Sequence, residues 1–321
     1  MTAPPPDHPA FTPLLAAHAD WSSDPRKRWM TLARRRGAGW QVAAPVPVGA
    51  LETLFARLLA LAESVVLGAD LPLGLPRAYA ARHATEPDFP AFLRGLAGRA
   101  GFFSPCATLD EVSAGRPFYP ARPVRGMTRA AHAAALDLGG ARGLCRACDH
   151  ATAERPAGAP LFWTLGANQC GKAAISAWRD LLLPALARPR PPLLWPFEGD
   201  LRALITPGRV VVAETYPAEA LRQLGLTLPG SKRRHADRMA MAAPLAAALQ
   251  RLEAVPDAVL SLALSDGFGA DAAGEDRFDS LLGVLAVLNV LAGNRPDGVP
   301  DDPWLRRWEG WVLGQLAPPA G

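Results

Sequence analysis

Five carboxylates, Asp20, Asp70, Glu214, Asp276 and Asp279, stand where an α/β protein would place chemistry. Asp20 closes a short apolar run, Asp70 ends Val65–Asp70 (VVLGAD), and Glu214 ends Arg209–Glu214 (RVVVAE). Asp276 and Asp279, three residues apart, share one face of an apolar helix. In open sheets, sites gather at the C-terminal ends of parallel strands, where loops diverge and backbone groups are available. Carboxylates converging there repel one another unless a cation neutralises them. Oxygen-only ligation suits Mg²⁺ or Mn²⁺, which takes one or two carboxylates, several waters and a substrate phosphate. Two such ions can hold the attacking water and the leaving oxygen of a phosphodiester in line. The expected metal ligands are Asp20, Asp70, Glu214 and Asp279, with Asp276 as a further catalytic candidate. Plainer readings exist: Asp70 precedes Leu71-Pro72 as a turn former would, and Asp276 or Asp279 could satisfy a helix N-terminus. Glu214 is harder to dismiss, because a carboxylate following buried valines needs a partner.

Basic residues supply the complementary signal. Lys172, at the helix start in Asn168-Gln169-Cys170-Gly171-Lys172, could present its charge and nearby N–H groups to an anion, although the glycine spacing of a Walker loop is missing. Ser231-Lys232-Arg233-Arg234 at a predicted helix N-terminus could grip phosphate. The expected phosphate or nucleic-acid contacts are therefore Lys172, Lys232, Arg233 and Arg234. Arg26-Lys27-Arg28 and Arg34-Arg35-Arg36 flank one predicted strand and would lie on one side of a sheet. Cys145-x-x-Cys148-x-His150, with His132 as a fourth ligand, invites a zinc reading. It lacks a second cysteine pair, and Cys106 and Cys170 are isolated, so reduced surface thiols are the expectation. Trp163, Trp178 and Trp195 fall near core segments and are expected to pack rather than to stack on bases.

The elements that must position these groups follow from periodicity. Phe11–Trp21 reads as a strand. Arg28–Arg35 and Gly39–Val48 are extended stretches joined at Gly37-Ala38-Gly39, a hairpin signal. Leu51–Glu63 has helical spacing, and Val65–Asp70 is a buried strand. Three strands, a helix and a strand imply an α/β mixed sheet covered by helices. Pro76 to Pro160 is irregular, with short helices at Tyr79–His83, Phe89–Leu96 and Met127–Leu136, and reads as a helical insertion at about 77–160. Ala173–Ala187 is a helix bent at Pro184, and Leu193–Phe197 and Arg209–Tyr216 are strands. Ser231–Glu253 is a long helix capped by Ser231 and kinked at Pro244, and Glu275–Leu291 is the last helix. Residues 1–10 read as a flexible tail, and 11–321 as one domain.

Composition bounds the class. With 321 residues, half of them hydrophobic and 20% charged, the chain can bury enough apolar surface to order itself. Four cysteines cannot frame a disulfide scaffold of this length. No apolar run reaches the ~18 residues of a spanning helix, and the proline-rich start lacks a basic-then-apolar signal pattern. A cytoplasmic protein is expected. The formal charge of +4 points only weakly to anionic partners, because three of the 34 basic residues are lysine and the arginine content follows a chain-wide compositional bias.

Several segments together resemble a known family. ADWSSDPRKRW, VVLGADLPLGLPRAYA, LFWTLGANQCGKAAISAWRDLLLPAL, VVVAETYPAEA, GSKRRHADR, SDGFGADAAGEDRFDSLLGVL and WEGWVLGQ look like the DUF429 family of predicted nucleases with an RNase H-like fold. The likeness spans about residues 11–315. It implies a five-stranded mixed sheet with flanking helices and a metal-dependent acidic site. By the resemblance Asp20 is the first-strand acid, Asp70 the crossover-strand acid, Asp276 or Asp279 the last-helix acid, and Glu214 the glutamate before Tyr-Pro. Asp20 stands in Ala-Asp-Trp-Ser where the family more commonly has Asp-Gly, so its backbone is less able to approach a phosphate. The expected function is a Mg²⁺- or Mn²⁺-dependent nuclease hydrolysing phosphodiesters. The alternatives are a nucleotide-binding phosphotransferase or ATPase of the same superfamily, for which Leu73-Gly74-Leu75 is a poor phosphate loop, and a non-catalytic scaffold retaining the fold.

Overall fold

Leu14–Asp20 (β1) is small and apolar on both faces, as a strand covered on both sides must be. The chain turns at Ser22–Arg28, runs back as Trp29–Arg36 (β2), and reverses at Gly37, whose φ of +57° suits a tight turn, into Gly39–Val42 (β3). Val46–Pro47 (β4) folds onto the other half of β2. A short helix, Leu54–Leu59, crosses over to Ser64–Ala69 (β5), and Leu193–Leu194 (β6), Arg209–Glu214 (β7) and Ala254–Pro256 (β8) complete the sheet. The computed structural model describes residues 14–123, 125–152, 156–166 and 170–316, so the expected 1–10 tail lies outside the described residues.

The strand order is β6-β7-β5-β1-β2-β3-β8, with β4 beside β2. β1, β5, β7 and β6 are mutually parallel, β2 is antiparallel to β1 and β3, and β8 is parallel to β3. The α/β class with a mixed sheet flanked by helices is as expected from the sequence, but there are eight strands rather than five. Alternate residues feed two cores. Leu15, Ala17, Ala19, Val65, Leu67, Val210 and Val212 face the layer containing residues 77–163 and the helix Cys170–Ala177. Ala16, Val66, Val211 and Ala213 face the helices Ala242–Arg251 and Gly274–Leu291.

Two expected helices are corrected. Ser231–Glu253 is two helices, His235–Met239 and Ala242–Arg251, because Pro244 tolerates only a first turn, where no N–H is required. Ser231 is not a cap; it lies ahead of the first helix, where its N–H donates to Asp237. The helix expected at Ala173–Ala187 starts at Cys170 and passes through a wide turn at Trp178–Leu182, just before Pro184 removes a ladder N–H. The two arginine clusters lie at the two ends of β2, flanking that strand as expected.

The helix Gly274–Leu291 lies on the sheet through one stripe. Ser280 Oγ is 2.8 Å from Thr31 Oγ1 of β2, Gly283 packs on the His18 ring of β1, and Val287 lies over Gly68 of β5. A Cβ at Gly283 would overlap the buried imidazole. Gly283→Ala should therefore cost about 1–3 kcal/mol in denaturant titrations through overpacking. In a His18→Ala background the same change should cost clearly less, since the overlapping ring is gone; equal costs in both backgrounds would refute the contact.

Candidate functional site at the C-terminal edge of the sheet

The register aligns Ala19, Ala69 and Glu214 across β1, β5 and β7, so the three parallel strands end on one edge. The ladder runs one step further, with Asp70 N–H donating to Ala19 O and Thr215 N–H to Ala69 O. Asp20, Asp70 and Glu214 consequently line one cavity of about 530 Å³, together with Asp276 and Asp279 at the start of the last helix. All five expected acids share this cavity.

Alternation then divides them. Asp20 and Asp70 continue the strand faces of Ala16 and Val66, toward the helix Gly274–Leu291. Glu214 continues the opposite face, that of Val210 and Val212. There it meets Arg146, a wholly buried guanidinium delivered by the segment 77–160. Arg146 Nη1 lies 2.5 Å from Glu214 Oε2 and Nη2 lies 2.7 Å from Oε1, while Leu73 N–H donates to Oε2 at 2.7 Å. Both Glu214 oxygens accept N–H groups, so it is a carboxylate even though burial raises its pKa. The other side of Arg146 holds Asp149, with Nη2 at 2.9 Å from Oδ1 and Nε at 3.2 Å from Oδ2. Glu214 thus has a partner that is not a metal.

The remaining acids form a second group. Burial, followed by repulsion from Asp279, Asp70 and Asp276, raises the pKa of Asp20 well above the carboxylate range. Burial raises Asp70 to about 7, opposed by Lys232 and reinforced by Asp279 and Glu214. Burial also raises Asp276, to about 6, with Lys27 as its leading opposing charge. Asp279 Oδ2 accepts the Lys232 ammonium, while its buried Oδ1 has no hydrogen-bond partner. Burial lowers Lys232, but Asp279, Asp70 and Glu275 outweigh it and the net shift is upward.

The basic residues are also sorted by the structure. Lys27, Lys172 and Lys232 line the cavity, as does Arg146. Arg233 and Arg234 do not: Arg233 Nε is 3.8 Å from Glu275, and Arg234 Nε is 2.6 Å from Asp237. Asn168 and Gln169 lie outside the described residues. Arg26 is paired with Asp24, and Arg28 is buried over the Trp21 ring, 4.4 Å from its centroid. His132, the proposed fourth zinc ligand, bonds through Nε2 to Pro117 O at 2.7 Å. Among the described residues, no three His, Cys, Asp or Glu side chains form a ready-made ligand group. Trp163, Trp178 and Trp195 are buried, as expected of packing residues. Sequence reasoning missed Arg146 and Asp149, three residues apart inside the cysteine segment, and treated Lys27 only as part of the cluster Arg26-Lys27-Arg28.

No protein-family model, curated protein or solved structure matches this chain. No helix among the described residues is long and apolar enough to cross a membrane.

Removing Arg146 would leave two buried carboxylates uncompensated. Arg146→Ala should lower stability by about 3–5 kcal/mol in chemical denaturation. The aspartates make a separate, pH-dependent contribution. Asp70 keeps its proton in the folded protein up to about 7, whereas an ordinary aspartate loses it near 3.8. Between those values the unfolded chain binds fewer protons, so metal-free stability should fall as pH rises across that window. Asp20, Glu214, Asp276 and Asp279, whose pKa values are also raised, push the same way, while the Lys232 ammonium facing Asp70 stays charged there. Asp70→Asn should flatten part of the slope and stabilise the protein by about 1–3 kcal/mol at mildly alkaline pH, allowing for its partial exposure to the cavity. Melting curves across pH for both proteins decide this.

Proposed function

We propose that the chain is a divalent-metal-dependent phosphodiester hydrolase of RNase H-like fold, with nucleic acid as its substrate class. The observation that carries this reading is the meeting of Asp20, Asp70 and Asp279 in one cavity at the ends of parallel strands, with a buried Asp279 oxygen that no described residue satisfies. The central strand order β3-β2-β1-β5-β7, an antiparallel meander continued by two parallel strands, also supports it. So does the resemblance to the DUF429 family.

The donor set suits a hard cation. Asp20 and Asp70 offer oxygen ligands on neighbouring strand ends, and their pKa values are raised first by burial and then by the carboxylates around them. Mg²⁺ or Mn²⁺ bound there would polarise a phosphoryl oxygen and lower the pKa of a water nucleophile. The chain's own groups would do the rest. Asp276, titrating at about 6, can hold or release a proton near neutrality. Lys27 and Lys172 line the cavity and can meet phosphate oxygens as point charges. Glu214 and Arg146 shape the wall and are not expected to ligate. The phosphotransferase alternative is weakened at Leu73-Gly74-Leu75. Leu73 N–H is taken by Glu214 and Leu75 N–H by Trp308 O, leaving no run of donors for a nucleotide phosphate.

Two measurements test the proposal. With Mg²⁺ or Mn²⁺, labelled single- and double-stranded DNA and RNA should be cleaved, and Asp70→Asn should lose on the order of 100-fold or more in turnover with an unchanged circular dichroism spectrum. Unchanged turnover would make Asp70 a turn residue. Binding of uncleavable polynucleotide should fall steeply with salt. Lys27→Ala and Lys172→Ala should each flatten the log–log slope by about 0.7–0.9, whereas Arg234→Ala, whose charge is committed to Asp237, should change it far less.

A further inference from the structure

The short segment that carries Lys232 is held more firmly than a solvated loop. Arg238 is buried and donates to three carbonyls: Lys232 O at 2.6 Å, Gly267 O at 2.8 Å and Gly269 O at 2.6 Å. Asp237 accepts Ser231 N–H at 2.7 Å and Arg234 Nε at 2.6 Å. Gly274 must be glycine for this arrangement, because a Cβ there would overlap both the Arg238 guanidinium and Gly269 O. The Lys232 backbone is therefore tied to the last helix and to the loop before it, and its ammonium is aimed at Asp279 Oδ2, with Glu275 Oε1 at 3.8 Å. Its side chain is only 34% exposed. Fixing a lysine with a buried arginine is costly unless the ammonium is needed at that point.

The carboxylates can then be matched with their positive charges. Glu214 belongs to Arg146, Asp279 is bonded by Lys232, and Asp276 has Lys27 as its leading opposite charge. Asp20 and Asp70 form no ion pair with any described residue, although Lys232 acts on both at longer range. That leaves two adjacent carboxylates without a bonded cation, enough for one divalent ion and not for a pair. Asp279, 6% exposed and with Oδ1 unpartnered, borders that position.

We infer that the site takes a single divalent cation at Asp20 and Asp70, and that the Lys232 ammonium, fixed on Asp279 by the Arg238-anchored segment, is the second positive charge that a two-ion phosphodiesterase would supply as metal. The inference rests on the metal-dependent reading above and specifies it further. In such a site Lys232 neutralises Asp279 and presents N–H donors beside the ion, where a phosphate oxygen would sit.

Mn²⁺ titration of the full chain, followed by calorimetry and electron paramagnetic resonance, tests this without reference to activity. The wild type should bind one Mn²⁺ per chain and show no Mn–Mn coupling. Asp20→Asn and Asp70→Asn should each weaken that ion about 100-fold, whereas Asp279→Asn should retain it within about threefold. Lys232→Gln should admit a second, weaker ion at the uncovered Asp279, with coupling appearing in the spectrum, while Lys232→Arg should still bind one. Two ions in the wild type, loss of the ion in Asp279→Asn, or an unchanged single ion in a folded Lys232→Gln protein would each overturn the inference while leaving metal-dependent hydrolysis standing. Absence of Mn²⁺ binding in the wild type would overturn both.

Discussion

The clamp of Arg146 on Glu214 and Asp149 is the interaction on which the rest of the site depends. A guanidinium 1% exposed, bonded to two carboxylates and to Leu73 O, joins the end of β7, the loop after β5 and the segment 77–160 at one point. The segment 77–160 needs such a point, because its described elements are short and separated by proline and glycine. Glu309 repeats the device on a smaller scale, with one carboxylate oxygen accepting the N–H groups of Arg77 and Ala147. Buried ion pairs of this kind are weak evidence for net stability, since desolvation offsets their attraction. Their contribution here is positional: the cavity wall is fixed by directional bonds where apolar packing would leave it free to slide.

Alternation along the strands explains why acids that converge on one edge do not converge on one point. β1, β5 and β7 end in register, but Glu214 stands at odd parity to Asp20 and Asp70. One face of the sheet edge therefore carries a compensated cluster and the other an undercompensated one. The compensated side is structural and holds the segment that carries Arg146. The undercompensated side, bounded by Asp279 and Lys232, holds charge that folding alone does not resolve. Strain of that kind, tolerated at the expense of stability, is what a binding site for a cation requires.

Much of the frame was legible in the sequence, because it is written in long periodic segments. The β-branched runs VVLGAD and RVVVAE, the Gly37-Ala38-Gly39 reversal and the apolar last helix each announce themselves locally, and the acids follow from where those segments stop. β8 was not legible because its three residues have no period of their own and pair only when β3 is already in place, and β4 was merged with β3 into the single stretch Gly39–Val48. The Ser231 helix was overextended because Pro244 was read as a kink within a helix, although its position also fits the first turn of a new one. Arg146 escaped notice because its partner lies 68 positions away; an arginine's spacing says nothing about burial. The parity of Glu214 was present in the sequence and could have been counted from Val210, had strand face been weighed as heavily as strand end.

On the proposed reading, placing carboxylates at the centre of a site for phosphate raises an electrostatic conflict, and the distribution of lysines bears on it. The cavity is lined by six carboxyl groups and four cations, so once Asp20 and Asp70 are ionised it repels a polyanion unless positive charge is added. On the proposed reading, bound metal reverses the sign of the field at Asp20 and Asp70, and Lys27, Lys172 and Lys232 already stand around that point. Metal and substrate then strengthen each other's binding by the same factor, because linkage is reciprocal. The surface arginines contribute little to this coupling, since Arg26, Arg233 and Arg234 have carboxylate neighbours and Arg28 is buried under Trp21. The chain's excess of arginine is thus a poor guide to its chemistry, and the informative cations are its three lysines, all of which line the one cavity where the acids meet.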